Sequence, residues 1–208
     1  MKIDTFYNSK VFSFFSFFTN LILLNICWIA LCLPVITAGA STAALHECIL
    51  LLRKRELNHV FKPFWTAFRK NFRQGTLLGL IAGFILVLTV IDLMIVLAYP
   101  GAMETWITVL LVLPFLLTAP SLCYIFPLQA KFENTVPATV FNAWKLSMIH
   151  PGTSVALLAL QLVPVAVCLI WPNLLMTVVM LWTAFGGSGA VWISLGLLNR
   201  VFRQYQNS

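Results

Sequence analysis

The chain has 208 residues, of which 61% are hydrophobic and 9% charged, and its mean hydropathy is +0.94. Soluble domains carry about a quarter of their residues as charges, so this composition excludes an ordinary soluble fold. The net charge of +7 does not indicate nucleic-acid binding, because cations retained on one side of a membrane account for it. We therefore expect one integral membrane domain over residues 1–208 and an all-α, polytopic helical bundle.

The first predicted element is a hairpin over residues 11–52. Its first arm, Phe12–Leu33, is long enough to cross a bilayer, which takes about 20 apolar residues. It is too long for the apolar core of a secretory signal, which spans about 7–15 residues. The second arm, Val35–Leu52, is shorter and contains His46 and Glu47. Two readings stay open: this arm crosses the membrane, or it rests as a short helix on the inner surface, where both polar residues are solvated.

Residues 60–73 predict an amphipathic helix. Pro63 suits a first helical turn, and cations lie on one side of the helix. Aromatic residues recur at helical spacing on the other side: Phe61, Phe64, Trp65, Phe68 and Phe72. This pattern is typical of a helix that lies on the inner membrane surface. The alternative is a docking site for a partner or for anionic lipid.

A second hairpin is predicted over residues 75–128, with spans Gly75–Tyr99 and Trp106–Ile125. Its first span carries a tandem GxxxG ridge, which allows close approach of another helix: Gly75, Gly79 and Gly83. Asp92 lies on the opposite face, because nine residues at about 100° each separate it from Gly83. Neither face suits lipid, so we expect this span to be central. Asp92 is a candidate proton or cation relay; the alternative is a carboxylate near the interface that bonds to a hydroxyl or to water.

The last predicted elements are an amphipathic helix over residues 137–149 and a third hairpin over residues 152–198. The amphipathic helix has an apolar face of Phe141, Trp144 and Met148. The two single polar residues in mid-span, Asn25 and Gln161, predict interhelical hydrogen bonds. Each of the three hairpin tips carries a proline: Pro34, Pro100 and Pro172.

The distribution of cations predicts the orientation, because basic residues near span ends stay on the cytoplasmic side. Seven of the 13 Lys and Arg residues fall between Arg53 and Arg73. If Val35–Leu52 crosses the membrane or dips in and returns, all 13 face inward and both termini are cytoplasmic. With five spans, 11 of the 13 face inward and the N-terminus is outside. The first arrangement is favoured, so we predict five to six membrane helices in a multi-pass protein of the cell membrane.

The string Gly186-Gly187-Ser188-Gly189 is similar to the GxSG nucleophile string of intramembrane serine proteases. Such an enzyme needs a histidine beside the serine as the base, and only His46 lies in an apolar segment. Packing of small residues explains the string better. We therefore expect no enzyme and no catalytic residue, cofactor site or metal site.

Three strings resemble the YesL-like family of bacterial integral membrane proteins, whose domain has no assigned function. The most specific parts are Trp28 to Gly39, Phe64 to Phe72, and Phe126 to Glu133. Members are mostly from Gram-positive bacteria and are often encoded beside carbohydrate importers of the ATP-binding-cassette type and two-component regulators. The resemblance implies an accessory or modulator role in carbohydrate uptake or sensing, with importer subunits or a membrane sensor as partners besides the bilayer. The alternative is a small self-sufficient transporter or channel that uses Asp92.

Overall fold

A computed structural model describes residues 10–98 and 104–206. Among these residues it contains helices and short turns and no strand, so the all-α prediction is confirmed. The α-helices, in chain order, are α1 Lys10–Cys32, α2 Ala38–Arg53, α3 Phe61–Ala98, α4 Glu104–Lys131, α5 Val136–Ile149, α6 Pro151–Ile170, α7 Leu175–Leu181 and α8 Gly187–Gln206. A π-helical turn, Trp182–Gly186, joins α7 to α8, and 3₁₀ turns precede α2 and α7.

Several of these helices are long and apolar enough to cross a membrane. Within the described residues these stretches are Ser13–Cys32, Val35–Arg53, Phe61–Asp92, Pro151–Ile170 and Pro172–Phe202. Large apolar side chains face outward, for example Leu33, Leu169 and Met176 at 78%, 77% and 75% exposure. Hydrocarbon, unlike water, accepts such a surface without cost. The chain is therefore a polytopic helical membrane protein.

Helix α2 occupies the interior of the bundle. Half of its apolar stretch is buried, against 12% for the stretch in α3, so the expectation that the glycine-ridge span is central is wrong. Small side chains explain the burial, because they allow neighbouring helices to approach α2 closely. The buried small residues of α2 are Gly39, Ala40, Ser41, Ala43 and Ala44.

The backbones of α2 and α3 approach each other closely. A methyl group at Gly39 would collide with the carbonyl oxygen of Gly75. A methyl group at Gly79 would lie 2.6 Å from the Gly39 Cα, and one at Gly75 would lie 2.7 Å from the Ala40 Cα. Gly83, the third residue of the ridge, faces open space. Two of the three ridge glycines therefore form the crossing, together with a glycine of α2.

Helix α3 runs without interruption over 38 residues, from Phe61 to Ala98. The sequence predicts a surface helix over residues 60–73 and a separate span from Gly75, but the two are continuous. The aromatic set also divides: Phe64 and Phe68 are buried against α2, whereas Phe61, Trp65 and Phe72 are exposed. The first half of α3 is therefore packed along α2.

Helix α5 matches the second predicted amphipathic helix closely. It begins at Val136, has Pro137 in its first turn and ends at Ile149. Phe141, Trp144 and Met148 are exposed, and the opposite face is buried against protein. That buried face consists of Thr139, Ala143, Leu146 and Ser147.

Two of the three predicted hairpin tips, those at Pro34 and Pro172, lie within the described residues. After α1, the Thr37 hydroxyl donates to the carbonyl oxygens of Leu31 (2.6 Å) and Pro34 (2.8 Å), which closes the first tip. At the third tip, Pro172 begins a 3₁₀ turn. The predicted tip at Pro100 lies outside the described residues.

We predict that Gly39→Ala lowers the midpoint of thermal unfolding in detergent, because its methyl group meets the backbone of α3. Overpacking of this kind typically costs about 1–3 kcal/mol. Gly83→Ala is the matched control, since its methyl group enters open space. Equal midpoints for the two variants, measured by light scattering on monodisperse samples, would contradict the crossing.

Candidate functional site

Asn25 of α1 joins the first hairpin to the third. Its side chain is fully buried, and its Nδ2 donates to the carbonyl oxygens of Trp182 (3.0 Å) and Thr183 (2.7 Å). Its Oδ1 accepts from the backbone N–H of Ser188 at 2.9 Å. A π-helical turn leaves backbone groups without their usual helical partners, and such groups are costly in an apolar interior. The predicted interhelical polar residue therefore satisfies the backbone at the π turn.

Ser188 is engaged in hydrogen bonds that hold α8 against α1. Its hydroxyl donates to the carbonyl oxygens of Leu21 (2.9 Å) and Phe185 (3.1 Å), and the side chain is fully buried. A methyl group at Gly187 would lie 2.7 Å from the Trp28 ring and 2.9 Å from Asn25 Oδ1. The Gly-Gly-Ser-Gly string thus lets α1 pack against the π turn.

His46 is buried in the middle of the bundle, with 6% exposure. Its Nδ1 lies 2.8 Å from the Thr42 carbonyl oxygen, one turn earlier in α2. A carbonyl oxygen only accepts, so Nδ1 carries the proton, and in the neutral ring Nε2 has a free lone pair. The ring stacks on Phe126 of α4 with centroids 6.2 Å apart.

A partly open cavity of about 290 Å³ lies beside His46, and one of its lining residues, Gln161, is exposed. Helices α1, α2, α4, α6 and α8 all contribute to its lining, as does the π turn. Its lining is mainly apolar and aromatic, with Trp28, Phe126 and Trp182 as the largest rings. Its polar side chains include His46 and Gln161, which are 115 residues apart in the chain. The fold therefore brings together two of the residues singled out from the sequence.

Glu47 faces away from this cavity, because consecutive helical residues point about 100° apart. Its carboxylate lies 3.4 Å from Lys70 Nζ and accepts from Asn71 Nδ2 at 2.8 Å. Gln129 Nε2 of α4 donates to Asn71 Oδ1 at 3.3 Å. This polar network links α2, α3 and α4. His46 and Glu47 therefore belong to two different sites.

Sequence reasoning missed Asn71, Gln129 and Arg53. Arg53 Nη2 donates to the Trp192 carbonyl oxygen at 2.7 Å, and the guanidinium lies over the Trp192 ring at 4.5 Å. Gly196 provides the space, since a methyl group there would lie 2.7 Å from Nη2. The contacts of Asn71, Gln129 and Arg53 have no local sequence signal, because each partner lies more than 20 residues away in the chain.

Asp92 does not join either polar site. It lies in α3, 13 residues after Gly79, which is roughly 20 Å along the helix axis. Among the side chains that the structure describes, none forms a hydrogen bond or an ion pair with Asp92. Among the described residues, no group of three or more His, Cys, Asp or Glu side chains is placed to bind a metal ion.

Fold and site together define a polytopic α-helical membrane protein with a small, mainly apolar, partly open cavity. Residues 21–93 match the family described as "Protein of unknown function, DUF624". The resemblance to the YesL-like family is consistent with this match, which takes in Asn25, His46, Glu47 and the Gly39 crossing. No curated protein and no solved structure matches the chain significantly.

We predict that Asn25→Leu destabilises the protein, because it leaves the Ser188 N–H and two carbonyl oxygens without their partner. An unsatisfied buried polar group costs about 1–3 kcal/mol. The matched control is Asn20→Leu, at a partly exposed position of the same helix. Hydrogen exchange at the Ser188 amide should accelerate in Asn25→Leu alone. Unchanged exchange there would show that the side chain does not hold the π turn.

Proposed function

We propose that the protein is an accessory membrane subunit that modulates a carbohydrate importer or a membrane sensor and does not itself carry the solute. The observation that supports this is an exposed basic and aromatic face on the first half of α3. The face consists of Phe61, Lys62, Trp65, Arg69, Phe72 and Arg73, all exposed. Arg69 lies 5.1 Å from the centre of the Trp65 ring. Aromatic residues and arginine are enriched at protein interfaces, where they supply much of the binding energy.

The interior of the bundle favours this role over that of a self-sufficient transporter. A conduit needs polar groups that follow one another across the membrane. Asn25, Ser188 and Glu47 are instead engaged in contacts between helices, and Asp92 lies apart from the cavity. The transporter alternative thus gains no support from the arrangement of these residues.

The cavity is also a poor match for a sugar. A sugar presents several hydroxyl groups, and each one buried without a partner costs about 1–3 kcal/mol. The cavity is lined largely by Trp, Phe, Leu, Val and Pro side chains. The carbohydrate connection therefore comes from the YesL-like resemblance and is expected to run through a partner protein.

The proposed orientation places the α2–α3 connection and both termini in the cytoplasm, because the cations cluster there. In a chain whose native cysteines are replaced, we predict that Ile36→Cys reacts with an impermeant maleimide in intact cells. Asn58→Cys should react only after the cells are permeabilised. Ile36 and Asn58 are both exposed on the protein surface, so burial against protein does not separate them. Labelling of Asn58→Cys in intact cells would overturn the orientation.

We predict that a photo-crosslinking amino acid at Trp65 captures importer or sensor subunits in native membranes. The same amino acid at Leu169, an exposed apolar position on α6, is the matched control and should capture lipid. Arg69→Glu should reduce the yield at position 65 about tenfold, which corresponds to a loss of ~1.4 kcal/mol. Lipid adducts alone at both positions, or sugar flux through vesicles that contain the purified chain alone, would contradict the accessory role.

A further inference from the structure

Several polar groups that line the cavity beside His46 are already hydrogen-bonded within the protein. The Trp28 Nε1–H donates to the Thr42 hydroxyl at 3.2 Å, and that hydroxyl donates to the Ala38 carbonyl oxygen at 2.8 Å. The Ser194 hydroxyl donates to the Val191 carbonyl oxygen at 2.9 Å. These hydroxyl and indole protons are thus engaged within the protein.

His46 differs from these side chains. Its Nδ1 faces the backbone of its own helix, so Nε2, on the far side of the ring, points away from α2 toward the cavity. The residue as a whole is 94% buried, but Nε2 itself keeps some accessible surface, and no described residue supplies a hydrogen bond to it. An accessible acceptor beside a mainly apolar lining can bind a donor that enters the cavity from outside the protein.

A groove of about 400 Å³ lies between α6 and α7. Gln161 and Trp182 line both the cavity and the groove, so the two spaces are adjacent. Along α6, Leu157 and Gln161 line the cavity, and Pro164 and Cys168 line the groove. The groove therefore extends toward the C-terminal end of α6, away from the end of the bundle where Arg53 contacts Trp192.

The shape and chemistry of the two spaces specify one kind of occupant. The cavity volume is near the lower limit of about 300–1,000 Å³ for small-molecule pockets, so it suits a small head group. The described residues that line the cavity and the groove include no Lys or Arg, which disfavours a phosphate. The groove is lined mainly by aliphatic side chains and Trp182, which suit a hydrocarbon chain, and its other lining residues are Gln161, Cys168 and Thr183.

We propose that the cavity and the groove together form a binding site for an uncharged single-chain lipid with a hydroxyl head group. The head-group hydroxyl donates to His46 Nε2, and the Gln161 amide lies at the junction where the head group meets the chain. The hydrocarbon chain lies in the groove between α6 and α7, with its end directed away from Arg53. This site does not depend on the identity of any protein partner.

The test measures saturable binding of tritiated monoolein to the full chain in detergent by scintillation proximity. On the wild-type chain, unlabelled monoolein should compete at least about tenfold better than methyl oleate, which has the same chain but no hydroxyl. An anionic lysophosphatidic acid should also compete poorly. Equal competition by methyl oleate, or no saturable binding at all, would overturn the proposal without any variant having to fold.

Variants then locate the site. His46→Phe keeps a flat ring but removes the acceptor, so affinity should fall about tenfold, and His46→Gln should restore part of it. Ala190→Leu fills the cavity while His46 is retained, and it should reduce binding at least as much. His59→Phe, at an exposed position outside the cavity, should bind like the wild type. Wild-type affinity in monodisperse His46→Phe and Ala190→Leu would place the lipid elsewhere.

Discussion

The backbone contact between α2 and α3 at Gly39 is the constraint on which the rest of the bundle depends. At this point the backbones of the two helices approach so closely that a single additional methyl group does not fit between them. The contact holds α2 inside the bundle, where its two successive polar residues reach different neighbours. His46 then faces α4 and the cavity, and Glu47 faces α3 and Asn71. A larger residue at Gly39 would separate α2 from α3 and would move both sites.

Polar side chains in this bundle perform two distinct tasks. Asn25 and Ser188 satisfy backbone groups where the last hairpin passes through a π turn, which joins the first and third hairpins. The Glu47 network links the first hairpin to the second. In hydrocarbon such groups have no water to bond with, so they must find partners inside the protein. His46 Nε2 is the contrasting case, because its partner is expected to come from outside.

The exposed surface of α1, α6 and α7 differs in composition from that of the first half of α3. The apolar exterior of α1, α6 and α7 is suited to lipid, whereas the first half of α3 combines arginine with exposed aromatic rings. In the accessory role that we propose, this face of α3 is the one that contacts the partner. The proposed lipid site would give the protein a means of responding to membrane composition.

Local sequence properties by themselves determined the all-α class, the apolar helices, the proline tips at Pro34 and Pro172 and the extent of α5, because hydropathy and helical spacing act over a few residues. They also indicated Asn25, His46, Glu47 and Gln161 as unusual, since polar residues are rare in apolar runs. Only the tertiary structure decided that Gly39 is the partner of Gly75 and Gly79, that α2 is more buried than the glycine-ridge span, and that residues 61–98 are one helix. It also decided that His46 and Gln161 line one cavity. Such pairings depend on how closely two distant helices approach, and that distance is set by side-chain volume on both of them at once.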